Sequence, residues 1–139
     1  EFKRDGILTN LGNTNIAYSP NIVAGNNITL TPIKSLQVSF LTKFVGKQYM
    51  GNIDAKKSVL PDFTTSDLNI TYEWKINKGI KSIVFSGLIN NFFNRTYESN
   101  GYFYTYDDNW SGPGTTTIEG AGFYPQAGIN FLAGMNLKF

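Results

Sequence analysis

The chain has 139 residues, enough for one ordinary domain with a sizeable core, and a net charge of +2 with both signs spread along it. It contains neither histidine nor cysteine, which removes disulfides, thiolate metal sites and the commonest general bases and nucleophiles, so no enzyme is expected. Charged residues are 16% of the chain and aromatics 15%, and the absence of a clustered basic face argues against nucleic acid as a partner.

Residues 1–20 show weak periodicity, broken by Gly6, Gly12 and Pro20, and read as a loop with the end of a strand at Phe2. The first five, Glu-Phe-Lys-Arg-Asp, are not a signal peptide, which suggests a mature fragment or a truncated piece of a longer protein. Residues 21–31 then alternate, with Ile22, Ala24, Ile28 and Leu30 on one side and Val23, Gly25, Asn27 and Thr29 on the other. A turn follows at 32–35, where Pro32 presets a dihedral and ends the ladder.

A clear strand spans 36–49: Leu36, Val38, Phe40, Thr42 and Phe44 share a face opposite Gln37, Ser39, Leu41 and Lys43. Residues 46–65, with two glycines, a proline and several charges, read as a long loop. In 66–77 the alternation is unbroken, Leu68, Ile70, Tyr72, Trp74 and Ile76 against Asp67, Asn69, Thr71, Glu73 and Lys75. Residues 77–80 form a short turn around Gly79, which tolerates a positive φ. The strand at 81–93 has Ile83, Phe85, Gly87 and Ile89 on one face and Ser82, Val84, Ser86 and Leu88 on the other, so the pattern leaves its sidedness open. Residues 94–126, rich in Tyr, Asn, Gly and Thr, read as a loop, and 127–139 as a final strand with Ala127, Ile129, Phe131, Ala133, Met135, Leu137 and Phe139 on its apolar face.

The expected fold is therefore all-β and antiparallel, with about five long strands whose connections alternate between long and short. Such strands are roughly twice the ordinary globular length and match the roughly 9 to 11 residues that a tilted strand needs to cross a bilayer. Apolar outward residues, small or polar inward ones and unequal loops are features of outer-membrane barrels. No run of about 18 apolar residues exists for a transmembrane helix, but alternating strands cross without one. A competing class is a soluble secreted β-sandwich that buries the same faces against a second sheet and uses the aromatic segment to hold carbohydrate.

Chemistry is concentrated in residues 94–126. Tyr102, Tyr104, Tyr106 and Trp110, together with Asp107 and Asp108, suit stacking on a sugar, a chelate or a planar ligand, the rings supplying area and the polar groups orientation. Asp107 and Asp108 are adjacent, so in an extended segment they point to opposite sides; only a turn would let them share a hard cation with Asn109. No metal site or cofactor is assigned. Four Asn-x-Ser/Thr tripeptides, beginning at Asn27, Asn69, Asn94 and Asn109, are read as coincidence in an Asn- and Thr-rich chain.

Three segments carry a family resemblance. Phe44-Val45-Gly46-Lys47-Gln48-Tyr49, Asn91-Phe92-Phe93-Asn94-Arg95-Thr96-Tyr97 and Tyr124-Pro125-Gln126-Ala127-Gly128-Ile129-Asn130-Phe131 resemble, in this order, segments at the C-terminal end of TonB-dependent outer-membrane receptors. Phe92 stands where that family usually has Leu, and Ile129 or Asn130 where Arg is common. The resemblance implies that residues 1–139 are the C-terminal segment of such a receptor's barrel: 1–20 a loop or strand end, 21–139 strands and extracellular loops. It implies a bacterial outer membrane, a plugged barrel of about 22 strands, and import of a nutrient such as an iron chelate, haem, cobalamin or a glycan. Implied partners are outer-membrane lipid, the rest of the barrel and its plug, the TonB energy-coupling complex acting through sequence N-terminal to this chain, the barrel assembly machinery, and in some members a surface lipoprotein. Phe131, Met135, Leu137 and Phe139 resemble the insertion signal read by that machinery. On this reading the chain is not a complete structure, because its first and last long strands would need partners.

Overall fold

The stretches that alternate most cleanly form one open antiparallel sheet. The computed structural model describes residues 1–139, the side chain of Asn77 excepted. Its strands are β1 (Phe2–Arg4), β2 (Ile7–Thr9), β3 (Val23–Ile33), β4 (Leu36–Val45), β5 (Gln48–Tyr49), β6 (Val59–Leu60), β7 (Phe63–Lys78), β8 (Ile80–Asn90), β9 (Glu98–Asp108), β10 (Thr116–Pro125) and β11 (Asn130–Lys138), with a 3-10 turn at Lys56–Ser58. The protein is all-β, with no α-helix among the described residues. The chain divides into two units: Glu1–Ile22, Val45–Phe63 and Tyr97–Gln126 make the first, and Val23–Phe44, Thr64–Thr96 and Ala127–Phe139 the second.

The second unit is built on the five-stranded sheet, in the order β11-β8-β7-β4-β3. Neighbours in the sheet are neighbours in sequence among these five strands, so it is a meander. Two turns are short, at residues 34–35 and at Gly79, whose φ is +78°. The connections from β4 to β7 and from β8 to β11 are long, and antiparallel alternation puts both at the same end of the sheet, opposite the short turns. Pro32 falls inside β3 rather than in the expected turn, which the ladder tolerates because β3 is an edge strand.

Register resolves the sidedness left open for β8. Phe131, Ile89 and Leu68 lie in one row across β11, β8 and β7; Met135, Phe85 and Tyr72 in another; Leu137, Ile83 and Trp74 in a third. The Thr42 and Ser66 hydroxyls meet at 3.1 Å, which puts the even-numbered residues of β4, including Val38 and Phe40, on this same face. The opposite face carries Asn136, Val84 and Glu73 in one row and Lys138, Ser82 and Lys75 in the next. There the Glu73 carboxylate accepts from the Ser82 hydroxyl at 2.7 Å and from Lys138 Nζ at 3.1 Å.

Among the described residues no buried apolar side chain lies in this sheet's unit: those that are buried, Val45, Met50, Ala55 and Leu60, all belong to the first unit. On the apolar face Trp74 is 53% exposed and Met135 64%. An ordinary antiparallel sheet packs that face on a core.

The first unit departs furthest from the expected loops. Residues 1–20 contain a hairpin, β1 with β2, turned by Asp5 (φ +50°) and Gly6 (φ +79°), which is the left-handed pair that a tight hairpin turn demands. Residues 46–65 hold the short pair β5 and β6, with Met50 N–H donating to Ser58 O at 2.7 Å and the Ser58 hydroxyl to Ala55 O at 2.8 Å. Residues 94–126 are not one loop but a long hairpin, β9 with β10, paired from Thr116↔Asp108 to Pro125↔Glu98. The final strands also differ at their ends: β8 stops at Asn90, short of Phe93, and β11 begins at Asn130 rather than Ala127.

Those shortened ends have a physical cause. Asn91 and Asn94 both adopt left-handed backbone (φ +49° each), where asparagine is tolerated better than most residues. The buried Asn91 side chain donates to Arg95 O at 2.8 Å and Ala127 O at 3.1 Å, and accepts from Arg95 N–H at 2.9 Å. Asn94 Oδ1 accepts from Ile129 N–H at 2.9 Å, and a Cβ on Gly128 would lie 2.6 Å from that oxygen. Between the two asparagines Phe92 and Phe93 meet Phe40, each centroid 6.2 Å from it. The second and third motif segments therefore meet in a polar knot that ends β8 and sets the start of β11.

Asn91→Ala should destabilise the protein by about 2 to 4 kcal/mol, since buried partners are left unpaired. Asn91→Gly, which restores the left-handed backbone, should recover about 1 kcal/mol of this. Denaturant titration of the three proteins checks the order, and amide exchange should quicken first in β11.

Candidate functional site

The aromatic residues singled out from the sequence are organised by the β9–β10 register. Alternation along β9 puts Tyr102, Tyr104 and Tyr106 on one face, opposite Gly122, Gly120 and Ile118 of β10. Successive ring centroids are 6.2 and 6.3 Å apart, with the planes only 16° and 15° from parallel. Tyr124 extends the row, 6.0 Å from Tyr102.

Glycine on β10 makes this arrangement fit. A Cβ on Gly120 would lie 2.3 Å from the Tyr104 ring, and one on Gly122 2.5 Å from the Tyr102 ring. The rings thus lean across the ladder into the space that the two glycines leave. Tyr102 and Tyr104 are each 49% exposed and Tyr106 52%, so the row is supported by its own hairpin and remains open to solvent.

The other face of the hairpin is tied down within the first unit. Thr117 N–H donates to Asp5 Oδ1 at 2.8 Å, Asp5 N–H donates back to the Thr117 hydroxyl at 2.8 Å, and that hydroxyl donates to Asp107 at 3.0 Å. Arg4 pairs with Glu119, and Lys57 Nζ donates to Glu119 O at 3.1 Å. Tyr18 Oη donates to Gly101 O at 2.9 Å. A cavity of about 420 Å³ lies beside the Arg4–Glu119 pair, with Phe2, Leu11 and Ile53 among its walls.

Of the candidate residues, the structure brings Tyr102, Tyr104 and Tyr106 together and separates the rest. Asp107 belongs to the opposite face, spent on Thr117. Asp108 closes the hairpin end, its Oδ1 accepting from Trp110 N–H at 3.1 Å and Ser111 N–H at 3.2 Å, and Trp110 stands at the tip, 85% exposed. The two carboxylates therefore do not converge on one cation. Phe131, Met135 and Leu137 share the apolar face of β11, with Phe139 just beyond its last strand residue, all of them exposed. Sequence reasoning missed Gly120, Gly122 and the place of Tyr124 in the row. The signal was present as Gly-x-Gly-x-Tyr in step with Tyr-x-Tyr-x-Tyr, visible only once the two stretches are paired.

Comparison with known protein families, with curated proteins and with solved structures gave no match to this chain.

Hydrogen bonds from Ser111 and from Trp110 N–H hold the Asp108 carboxyl below its ordinary pKa. A depressed folded-state pKa contributes stability that is fully present above the ordinary carboxylate pKa and is lost as pH falls through the depressed value. The hairpin end should accordingly loosen under acid, seen as movement of the Trp110 and Ser111 amide resonances. Asp108→Asn should flatten that pH dependence.

Proposed function

We propose that this chain is part of the wall of an outer-membrane active transporter, resembling the C-terminal segment of a TonB-dependent receptor, with its extended connections taking part in nutrient capture. The observation that carries the reading is the five-stranded sheet: one face apolar from strand to strand, the other largely polar, and no apolar side chain buried among the described residues of its unit. Exposed contiguous apolar surface of this kind marks a membrane or protein contact. Alternation with lipid on one side and a polar interior on the other accounts for both faces at once, as do two short turns at one end and long connections at the other.

The lumen side would be the face of Asn69, Thr71, Glu73 and Lys75, and the lipid side that of Ile70, Tyr72 and Trp74. Energy for transport comes from outside this chain, through the TonB complex acting on its N-terminal partner sequence. Outer-membrane lipid, the remaining barrel wall with its plug, and the assembly machinery are the partners that this role requires. The ligand range of iron chelates, haem, cobalamin and glycans follows from the resemblance.

Phase separation of the expressed chain in a cloud-point detergent tests the reading. A wall segment goes to the detergent phase, whereas a sandwich that buries its apolar face stays in water, and recovery in water would overturn the proposal. Ile70→Arg should cost about 2 to 4 kcal/mol near mid-membrane, while Asn69→Arg on the other face costs far less. Equal losses at the two positions, measured by refolding into micelles, would remove the lipid-facing assignment.

The terminal residue gives a separate readout. Deleting Phe139 from the receptor should lower the amount reaching the outer membrane and leave the ligand affinity of the assembled fraction unchanged, as quantified by membrane fractionation and ligand titration. Normal membrane levels would count against an insertion signal at β11.

A further inference from the structure

The tyrosine row on the β9–β10 hairpin has properties that narrow its ligand. It is linear rather than cage-like, with ring steps of 6.2 and 6.3 Å and nearly parallel planes. Its length follows the strand direction, so it repeats along one axis. A compact chelate would meet only part of such a row, whereas a chain of repeating units can meet all of it.

Charge narrows the choice further. The residues that share this face along the row are Tyr102, Tyr104 and Tyr106 with Ile118, Gly120 and Gly122 across the ladder, extended by Asn100 and Tyr124, none of them Asp, Glu, Lys or Arg. Nucleic acid and other polyanions need basic groups beside the stacking rings, and neither strand places one here. Asp108, at the end of the row, has its carboxylate turned to the backbone of Trp110 and Ser111. An uncharged ligand with an apolar face and a hydroxyl rim suits these half-exposed phenol rings: the rings take C–H groups and the tyrosine hydroxyls exchange hydrogen bonds.

The rings are also pre-positioned. Tyr102 and Tyr104 occupy the space above Gly122 and Gly120, and the opposite face is fixed by Asp5, Arg4 and Lys57. Little side-chain freedom remains to be lost on binding, which favours affinity from a modest contact area.

We infer that Tyr102, Tyr104 and Tyr106, set over Gly120 and Gly122, form a stacking ladder for a neutral, extended oligosaccharide. The inference gives the ligand class for the transporter reading, on which its biological setting rests, while its chemistry stands on the hairpin alone.

Titration of the full chain in detergent micelles with neutral glucan oligosaccharides of increasing length, followed by calorimetry and intrinsic fluorescence, tests it. Affinity should rise with chain length up to the span of the three rings and then level off. Tyr104→Ala should weaken binding about twofold to tenfold, the worth of one stacked aromatic contact. Gly120→Ala, which pushes the Tyr104 ring aside without removing it, should also weaken binding.

An acidic oligosaccharide of equal length should bind no better than the neutral one. No binding by any neutral chain to a folded protein would overturn the inference, as would tighter binding of the acidic one. Equal affinity for a monosaccharide and a long chain would also overturn it, since a ladder must reward length. Partition of the chain into water with length-dependent glucan binding retained would sink the membrane wall and leave the ladder standing. Partition into detergent with no glucan binding would do the reverse.

Discussion

The register of β8 against β11 is the constraint on which the second unit depends. The pairing runs unbroken from Asn130↔Asn90 to Lys138↔Ser82. With a side-chain period of two, a slip of one residue would move Phe131, Met135 and Leu137 to the face of Glu73 and Lys75 and bring Asn136 and Lys138 to the apolar side. Within β11 that slip is opposed by the one-sided apolar pattern and by the contacts of Asn130 with Asn90 at 2.9 Å and of Lys138 with Glu73 at 3.1 Å. The knot at Asn91 and Asn94 adds to this, by fixing Ala127 and Ile129 before the strand begins. Local chemistry at a strand exit thus helps to set the sidedness of a strand almost forty residues later.

The two units use alternation in opposite ways. In the first, one face of the β9–β10 hairpin is covered by polar ties from the N-terminal segment and by Gly51, against which Phe103 of that face packs. Its buried apolar residues, Val45, Met50, Ala55 and Leu60, are few but enclosed. In the second, the apolar face is larger and bare. Each Å² of such surface left in water forgoes about 25 cal/mol, so a sheet of this length is an expensive object in an aqueous setting and an ordinary one against hydrocarbon.

Strands whose apolar residues alternate with polar ones were legible from the sequence, and β4, β7 and β11 lie close to where the pattern puts them. Register was not legible, because Ile83, Phe85 and Ile89 on one face of β8 compete with Val84 and Leu88 on the other, and only pairing with Trp74, Tyr72 and Leu68 decides between them. The β9–β10 hairpin was hidden for a different reason. Gly120 and Gly122 carry the composition of a loop, yet they are glycine because tyrosine rings fill their Cβ space, a cause that lies on another strand. Asp5-Gly6 could have been read, since that dipeptide is a strong hairpin signal, but the short strands on either side of it gave little alternation to support the turn. Of the candidate site, the three tyrosines were legible as part of an aromatic-rich segment, while the divergence of Asp107 from Asp108 was legible only on the condition that the segment is extended, as it is in β9.

On the wall reading, the open edges of the sheet bear on what completes it. In a five-stranded antiparallel meander the outermost strands, β3 and β11, run in the same direction. Neither edge of such a sheet can be left unpaired in hydrocarbon, where each orphaned backbone group costs several kcal/mol. Direct closure of β11 on β3 is excluded twice over: the pairing would be parallel, and five strands enclose less than the smallest membrane barrels, which use about eight. Bacterial barrels of one chain have an even number of antiparallel strands, so on the wall reading the missing part must supply an odd number. Its strand beside β11 must run against β11, and its strand beside β3 must run against β3. Parity also disfavours a ring made by head-to-tail copies of this sheet, since every junction between copies would pair parallel strands. A two-fold ring of two copies, β11 against β11 and β3 against β3, would keep every pairing antiparallel but run the copies in opposite directions, setting the long connections of one at the end where the other has its short turns; strands of different sequence satisfy both edges without that inversion.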